Sequence, residues 1–403
     1  MRLECTNAIL LEGLNIVTRA LSVRTTMEIL EGVLIKAEKT GFRIFATNLE
    51  MSIDTGLMDA DVTETGEVVL DGRTLHEMAR KFSVGARLSI TIEHGFVAII
   101  ESGRTRFSLV GMDPMQYPSL PGVGDAGVFE LPLKSFNWLL KQALYAAAQQ
   151  DTGRPILTGA LLSQGDDGEL NVVTSDGMRM AYASTKIKDN MDGLGIVIPA
   201  QALSEVVRIA GIISKDKDIE NEEGDKEKDE SLKIRLRAGK HHAVFEVGSA
   251  TITSRILEGD YLDHKNIFSV EQNILVRLRR TELLDGLERV ALISTKDTKK
   301  SPIRLVINDE RTISLHSSSA MGRAHEVVNI EELELLGQAE AKLEIGFNPA
   351  FLIAVLKVLN TENIVVSLNS PLSPAIIRPA KDGASEIPGT KHLVLPVRIE
   401  ERE

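Results

Sequence analysis

The chain has 403 residues, 43% of them hydrophobic and 26% charged, with a formal net charge of −12. That balance belongs to soluble globular proteins and excludes a disordered or fibrous chain, while the length suits about three domains, each able to bury its own core. Taken as an average, the negative charge argues against nucleic acid as a partner.

No apolar run approaches the ~20 residues of a membrane span, and Glu4 close behind Arg2 breaks the basic-then-apolar pattern of a secretory signal. The expected home is the cytoplasm, with no membrane partner. A lone cysteine, Cys5, has no partner for an internal disulfide and reads as a small buried hydrophobe in a reducing compartment.

Along the chain, helical periodicity predicts an amphipathic helix over 10–21, then a strand entered at Gly32 and a second ending in Ala46-Thr47-Asn48. A helix follows over 73–82, alternation marks strands over 88–92, 97–100 and 104–109, and a turn-rich joint closes at 111–122. The parts then recur. A helix over 136–148 leads to a strand entered at Gly159, to Val173-Thr174-Ser175, to a helix over 201–209, to a strand over 244–252 and to a joint at 257–261. A third copy runs from a helix over 283–293 through strands entered at Pro302 and ending in Leu315-His316-Ser317 to a helix over 349–359 and a strand over 364–368.

The period of about 130 to 145 residues is far above that of a solenoid unit, so these are three homologous domains. Their expected bounds are 1–124, 125–264 and 265–403, and the second carries an acidic insertion, 214–231, that reads as a solvated loop. Helices in pairs between alternating strands give an α+β class, with paired helices packed on antiparallel sheet in each domain.

That insertion holds much of the excess negative charge, and the helices keep a different balance. Arg73, Arg80 and Lys81 are seven and eight residues apart and share a helix face; Lys134 and Lys141 repeat the spacing, with Arg208 on the later helix, and Arg277, Arg279, Arg280 and Lys357 are the third domain's share. A basic helix face is ordinarily solvated surface, but its recurrence in three domains points to a polyanion.

Four motifs in chain order resemble one family: Arg106-Phe107-Ser108-Leu109 with Tyr117-Pro118-Ser119-Leu120-Pro121, then Thr174-Ser175-Asp176-Gly177-Met178-Arg179-Met180-Ala181, then Gly346-Phe347-Asn348, and Leu393-Val394-Leu395-Pro396-Val397-Arg398-Ile399. Together they are similar to the bacterial sliding clamps, the beta subunits of DNA polymerase III, over essentially the whole chain. The resemblance implies a head-to-tail homodimer closing as a ring around duplex DNA, a replication processivity factor with no cofactor and no chemistry of its own. Sparse phosphate contacts without base reading suit a protein that slides, since sequence-specific contacts of ~1–3 kcal/mol each would trap it.

By the same resemblance, Arg24, Arg73, Arg80, Gln149 and Arg154 match DNA contacts. A hydrophobic cleft for Gln-Leu-x-Leu-Phe-like peptides of the replicative polymerase, the clamp loader ATPase and repair proteins is matched by Leu157, Ser175, Gly177, Met178, Arg179, Met180, Leu262, Ile267, Asn348, Phe351, Leu372, Pro374, Leu393, Val394, Leu395, Pro396, Val397 and Arg398. In it Arg179 and Arg398 are expected to bond peptide carbonyls or carboxylates. The dimer contact is matched by Phe107 and Leu109 facing Leu292 and Ile293, with Arg104 and Arg106 seeking carboxylates such as Glu326.

The chain departs from the family at Ala200-Gln201, where a basic residue is common, at Pro155-Ile156, and at Leu262, His264 and Asn266; it also continues past Ile399 with 400–403. The departures at Ala200-Gln201 and over Leu262 to Asn266 keep a second reading open, a clamp-like paralogue that serves as a peptide-binding scaffold without being loaded on DNA. Enzymatic readings are poorer. His241, His242 and Glu246 suit a metal badly, because adjacent residues of a strand face opposite ways, and no histidine base follows Thr174-Ser175-Asp176-Gly177.

Overall fold

The computed structural model describes residues 1–22, 25–119, 122–124, 126–150, 153–165, 168–187, 191–220, 233–293, 302–308, 311–337, 342–380 and 389–399. Its helices, among these residues, are α1 (Asn7–Val17), α2 (Gly72–Ala79), α3 (Leu133–Ala143), α4 (Ala200–Glu220), α5 (His264–Phe268), α6 (Arg280–Ala291) and α7 (Pro349–Val358). All strand pairings in the four sheets are antiparallel. The α+β class and its paired helices stand as expected from the sequence.

The chain divides into two compact units, Met1–Phe136 with Gln201–Leu257, and Asn137–Ala200 with Glu258–Glu403. In the first, a five-stranded sheet runs in the order Asp61–Glu64, Arg2–Thr6, Arg87–Ile92, Val97–Ser102, Thr105–Val110. An eight-stranded sheet runs Gly127–Pro132, Lys233–Ala238, His242–Val247, Ala250–Arg255, Met51–Asp54, Gly41–Thr47, Gly32–Glu38, Gly66–Asp71. Four of its strands come from the first repeat and four from the second, joined where Met51–Asp54 pairs with Ala250–Arg255.

Helices α1 and α2 lie together in this unit because each has one apolar side. Leu10, Leu14 and Val17 of α1 and Leu75 and Ala79 of α2 are fully buried, each leucine or valine contributing roughly 1.5–3 kcal/mol of transfer free energy. Asn7, also buried, donates from Nδ2 to the carbonyl of Ala79 at 3.0 Å, which locks the start of α1 to the end of α2. Asp71 caps α2 by accepting from the N–H of Thr74 at 2.7 Å. Cys5 is buried, and desolvation pushes its thiol up to about 12, so it stays protonated and inert.

The second unit repeats the device. Its nine-stranded sheet runs Gly195–Pro199, Gly159–Gln164, Glu169–Ser175, Arg179–Lys186, Thr390–Val394, Ala375–Ala380, Asn363–Leu368, Ile274–Arg279, Glu332–Leu335, the second and third repeats meeting where Arg179–Lys186 pairs with Thr390–Val394. A four-stranded sheet runs Gly322–Asn329, Thr312–Ser319, Ile303–Ile307, Leu343–Phe347. Leu283, Leu287 and Val290 of α6 and Leu352, Val355 and Leu356 of α7 fill the core between them, and α7 starts at Pro349 behind an Asn348 side chain that accepts from the N–H of Ala350.

Two expectations need correction. Helix α4 runs on to Glu220, well past 209, so the insertion expected as a loop begins as helix; 212–220 holds neither Gly nor Pro to break it. Residues 221–232 lie outside the described residues. The basic residues assigned to helix faces in the third repeat are also otherwise engaged. Arg277 and Arg279 sit on a strand, not a helix, and pair with Glu331 at 3.9 and 3.3 Å. Arg280 donates to the carbonyls of Leu356 and Thr361 at the end of α7, and Lys357 pairs with Glu288 at 2.8 Å.

Candidate functional site

The sequence Ser175-Asp176-Gly177-Met178-Arg179 makes a closed turn between two strands of the nine-stranded sheet. Ser175 Oγ donates to the carbonyl of Arg179 at 2.9 Å and accepts from the N–H of Gly177 at 3.1 Å. Asp176 Oδ1 accepts from the N–H groups of Met178 and Arg179, and Gly177 takes φ +86° with no atom within 4 Å of where a Cβ would be. Ser and Asp are needed as short side-chain acceptors and donors, and Gly suits the positive φ.

Beyond the turn, the register sets Met180 opposite Leu393 and leads Leu395 past Met178, whose carbonyl accepts from the N–H of Leu395 at 2.9 Å. Val173, Met180, Ile376 and Leu393 form a buried apolar floor, against which Leu262, Ile267 and Leu395 pack partly buried, together with Leu161, Tyr182, Tyr261 and Phe268. The fold thus gathers Met180, Leu262, Ile267, Leu393 and Leu395 from three separated segments. Met178 and Leu372 stand exposed, Pro374, Pro396 and Val397 are half-buried, and Arg398 is exposed. Leu157 and Val394 are buried in the core and offer no surface; Asn348 caps α7.

Arg179 is tied into its own turn. Its side chain is 12% exposed, its Nε donates to Asp176 Oδ2 at 2.9 Å, and its guanidinium lies 5.3 Å from the ring centroid of Tyr145 and 4.8 Å from that of Phe351. A cation stacked on two rings and tied to a carboxylate organises the turn.

Several residues here escape sequence reasoning. Tyr261 donates to the carbonyl of Gly159 at 3.2 Å and accepts from the N–H of Ser175 at 3.1 Å, pinning the joint over the floor. Tyr117, at the first joint, bonds the carbonyls of Gly32 and Phe45, so the recurring joint tyrosine is the signal that could have found it. Tyr182 stacks on His264, and burial draws that imidazole's pKa down. His392 is fully buried beside Tyr145, a contact between residues far apart in sequence and invisible to local spacing.

Among the cations, Arg73, Arg80 and Lys81 are exposed on and just after α2, with Arg73 also donating to the carbonyl of Ser22 at 3.3 Å. Gln149 and Arg154 are exposed, and Arg24 lies outside the described residues, as does 400–403. Arg208 is not a free surface cation: it pairs with Glu205 and donates to the carbonyls of Asn15 and Ile16 at 2.8 Å, closing the end of α1.

The five-stranded sheet ends in Thr105–Val110, with Val110 82% exposed and Phe107 37% exposed, its ring edge-on to Phe82 at 5.8 Å. Leu109 is half-buried, and Arg104 is exposed; Arg106 reaches Glu101 at 3.5 Å. The four-stranded sheet ends in Gly322–Asn329, flanked by exposed Leu292 and by Ile293, whose carbonyl accepts from Ser319 Oγ. Glu326, expected to answer a partner arginine, is held by Arg289 at 2.8 Å, which also draws its carboxyl below the usual range.

Three family models match in succession: the DNA polymerase III beta subunit N-terminal domain over 1–121, the central domain over 130–263 and the C-terminal domain over 265–398. The chain is 28% identical over 393 residues to the beta sliding clamp of Staphylococcus epidermidis, covering 96% of each, and 29% identical over 401 residues to that of Halalkalibacterium halodurans, covering 97% of each. In fold it is similar to the solved DNA polymerase sliding clamp of Bacillus subtilis, with a TM-score of 0.84 at 24% identity over 99% of this chain and 100% of the other.

Proposed function

Since the chain belongs to the DNA polymerase III beta-subunit family and is a DNA replication processivity factor, we propose that it works as a head-to-tail homodimeric ring whose closure completes a pattern already present twice within one chain. On this reading the repeats are the domains 1–124, 125–264 and 265–403.

The observation that carries the proposal is a mismatch of sheet edges. At each internal joint, the edge strand of one repeat, Met51–Asp54 or Arg179–Lys186, pairs with the last strand of a hairpin in the next, Ala250–Arg255 or Thr390–Val394. By the same order, Gly322–Asn329 is the third repeat's edge and Thr105–Val110 the first repeat's hairpin strand, and within the chain each ends its sheet. An exposed apolar edge invites pairing. Two copies joined this way satisfy both edges twice and close, whereas one copy leaves them open. The joined sheet would have nine strands, the number in the sheet shared by the second and third repeats.

Phe107 and Leu109 then meet Leu292 and Ile293 across the contact. Because Glu326 and Arg106 are already paired within their own chains, apolar contact rather than new ion pairs holds the ring. Arg73, Arg80, Gln149 and Arg154, with Arg24, supply weak phosphate contacts to duplex DNA of any sequence, while the excess of acid elsewhere discourages DNA from binding outside.

The apolar floor under Met178 and Leu395 receives Gln-Leu-x-Leu-Phe-like peptides of the polymerase, the clamp loader and repair proteins. Leu157, Ser175, Gly177, Arg179, Asn348, Phe351 and Val394 shape the floor's frame. The protein acts without catalysis of its own in the cytoplasm, at the nucleoid, and a separate ATPase opens the ring. Sedimentation tests the closure: a dimer is expected at micromolar concentration, and a monomer that stays monomeric there would contradict it.

A further inference from the structure

The turn that heads the cleft has a twin in the first repeat. Thr47 Oγ1 donates to the carbonyl of Met51 and accepts from the N–H of Leu49, each at 3.1 Å, and Asn48 Oδ1 accepts from the N–H groups of Glu50 at 3.0 Å and Met51 at 2.8 Å. Ser175, Asp176, Gly177, Met178 and Arg179 make the same four bonds. Leu49 takes φ +72° where Gly177 takes +86°.

The strands that follow pair alike, Met51 opposite Ser254 and Arg179 opposite Val394. The next N–H, that of Arg255 or Leu395, donates to the carbonyl of Glu50 at 3.0 Å or of Met178 at 2.9 Å. One backbone frame is therefore built twice, and only its side chains differ.

In the cleft the floor pair is Met180 and Leu393, the pair at the bridge is Met178 and Leu395, and Gly177 leaves the space above the turn open. Register makes Ser52 and Thr253 the floor's counterparts at the first joint. There the bridge pair is Glu50 and Arg255, in ion contact at 3.4 Å, and Leu49 projects a 57% exposed side chain where Gly177 has none.

We infer that the residue pair at this bridge, Met178 with Leu395 against Glu50 with Arg255, determines which repeat joint accepts an apolar peptide, and that the first joint is a counterpart closed to it. The inference rests on the cleft reading above. An apolar side chain laid over Glu50 and Arg255 would strip water from two charges and return no hydrogen bond, whereas over Met178 and Leu395 it only removes apolar surface from water. Leu49 adopts the same positive φ as Gly177, so the bare turn of the cleft is not a demand of the backbone alone; it leaves room for something to lie across it. Of the two joints within one chain, only the second thus offers a peptide site.

Transplanting the charged pair tests this on the full-length protein, with a fluorescein-labelled Gln-Leu-Ser-Leu-Phe peptide as probe. Wild type is expected to bind one peptide per chain. Met178→Glu/Leu395→Arg, and the single surface change Met178→Glu, are each expected to weaken binding at least about tenfold, the single variant with an unchanged melting temperature. Binding within about twofold of wild type in both variants, or two peptides per wild-type chain, would overturn the inference. Wild type that binds no peptide at all would instead overturn the cleft reading, and this inference with it.

Discussion

Tyr145 and His392, 247 residues apart, meet with the phenol oxygen 2.9 Å from the imidazole Nδ1, both side chains lying beneath the turn that holds Arg179. Burial draws the His392 pKa from 6.5 down to about 3. Folded, the ring therefore stays neutral where the unfolded chain would already bind a proton.

That difference sets a pH dependence. The unfolded state takes up the proton first, so the stability held above pH 6.5 declines as pH falls from 6.5 towards 3. From this group alone, urea unfolding at pH 5 is expected to give a free energy about 2 kcal/mol below that at pH 7.5. His392→Gln should flatten that part of the slope; an unchanged slope would mean that His392 titrates normally in the fold.

Tyr261→Phe keeps the ring over the apolar floor and removes both of its hydrogen bonds, to Ser175 and Gly159. Leaving those backbone groups unpaired is expected to cost about 1–3 kcal/mol in chemical denaturation. Peptide affinity should fall as well, since the joint carrying Leu262 and Ile267 loses its pin.

Arg73→Ala and Arg80→Ala are each expected to reduce the slope of log K against log salt for DNA binding by about 1, without change in fold stability. Arg280→Ala should do the reverse. It uncaps α7 at Leu356 and Thr361, so it is expected to lower stability by about 1–2 kcal/mol and leave the salt slope alone.

Phe107→Ser removes the apolar contact offered at the edge of the five-stranded sheet. Sedimentation equilibrium should show dimer dissociation at concentrations at least about tenfold higher than for wild type. Arg106→Ala, whose partner Glu101 is in its own chain, should have far less effect.

The class of fold is legible in the sequence because each repeat carries its own periodicities: 3.6 in helices such as α2, with Leu75 inward and Arg73 outward, and 2 in strands such as Arg87–Ile92. The order of motifs is legible for the same reason, since Ser175-Asp176-Gly177 dictates its own turn. Partners distant in sequence are not. Nothing near Arg280 announces the end of α7, nothing near Arg208 announces the carbonyls of α1, and the sandwich of Arg179 between Tyr145 and Phe351 depends on three segments meeting. Spacing identifies a cation's face within its own helix, and only the fold decides whether an acceptor waits there.

The most direct test of the account is retention on circular DNA. After incubation of the full-length protein with nicked circles, a clamp loader from its own host and ATP, the protein should stay on the circles through gel filtration in high salt and be lost once they are cut to linear form. Retention that survives linearisation, or none on circles although the loader places another clamp there, would contradict encirclement.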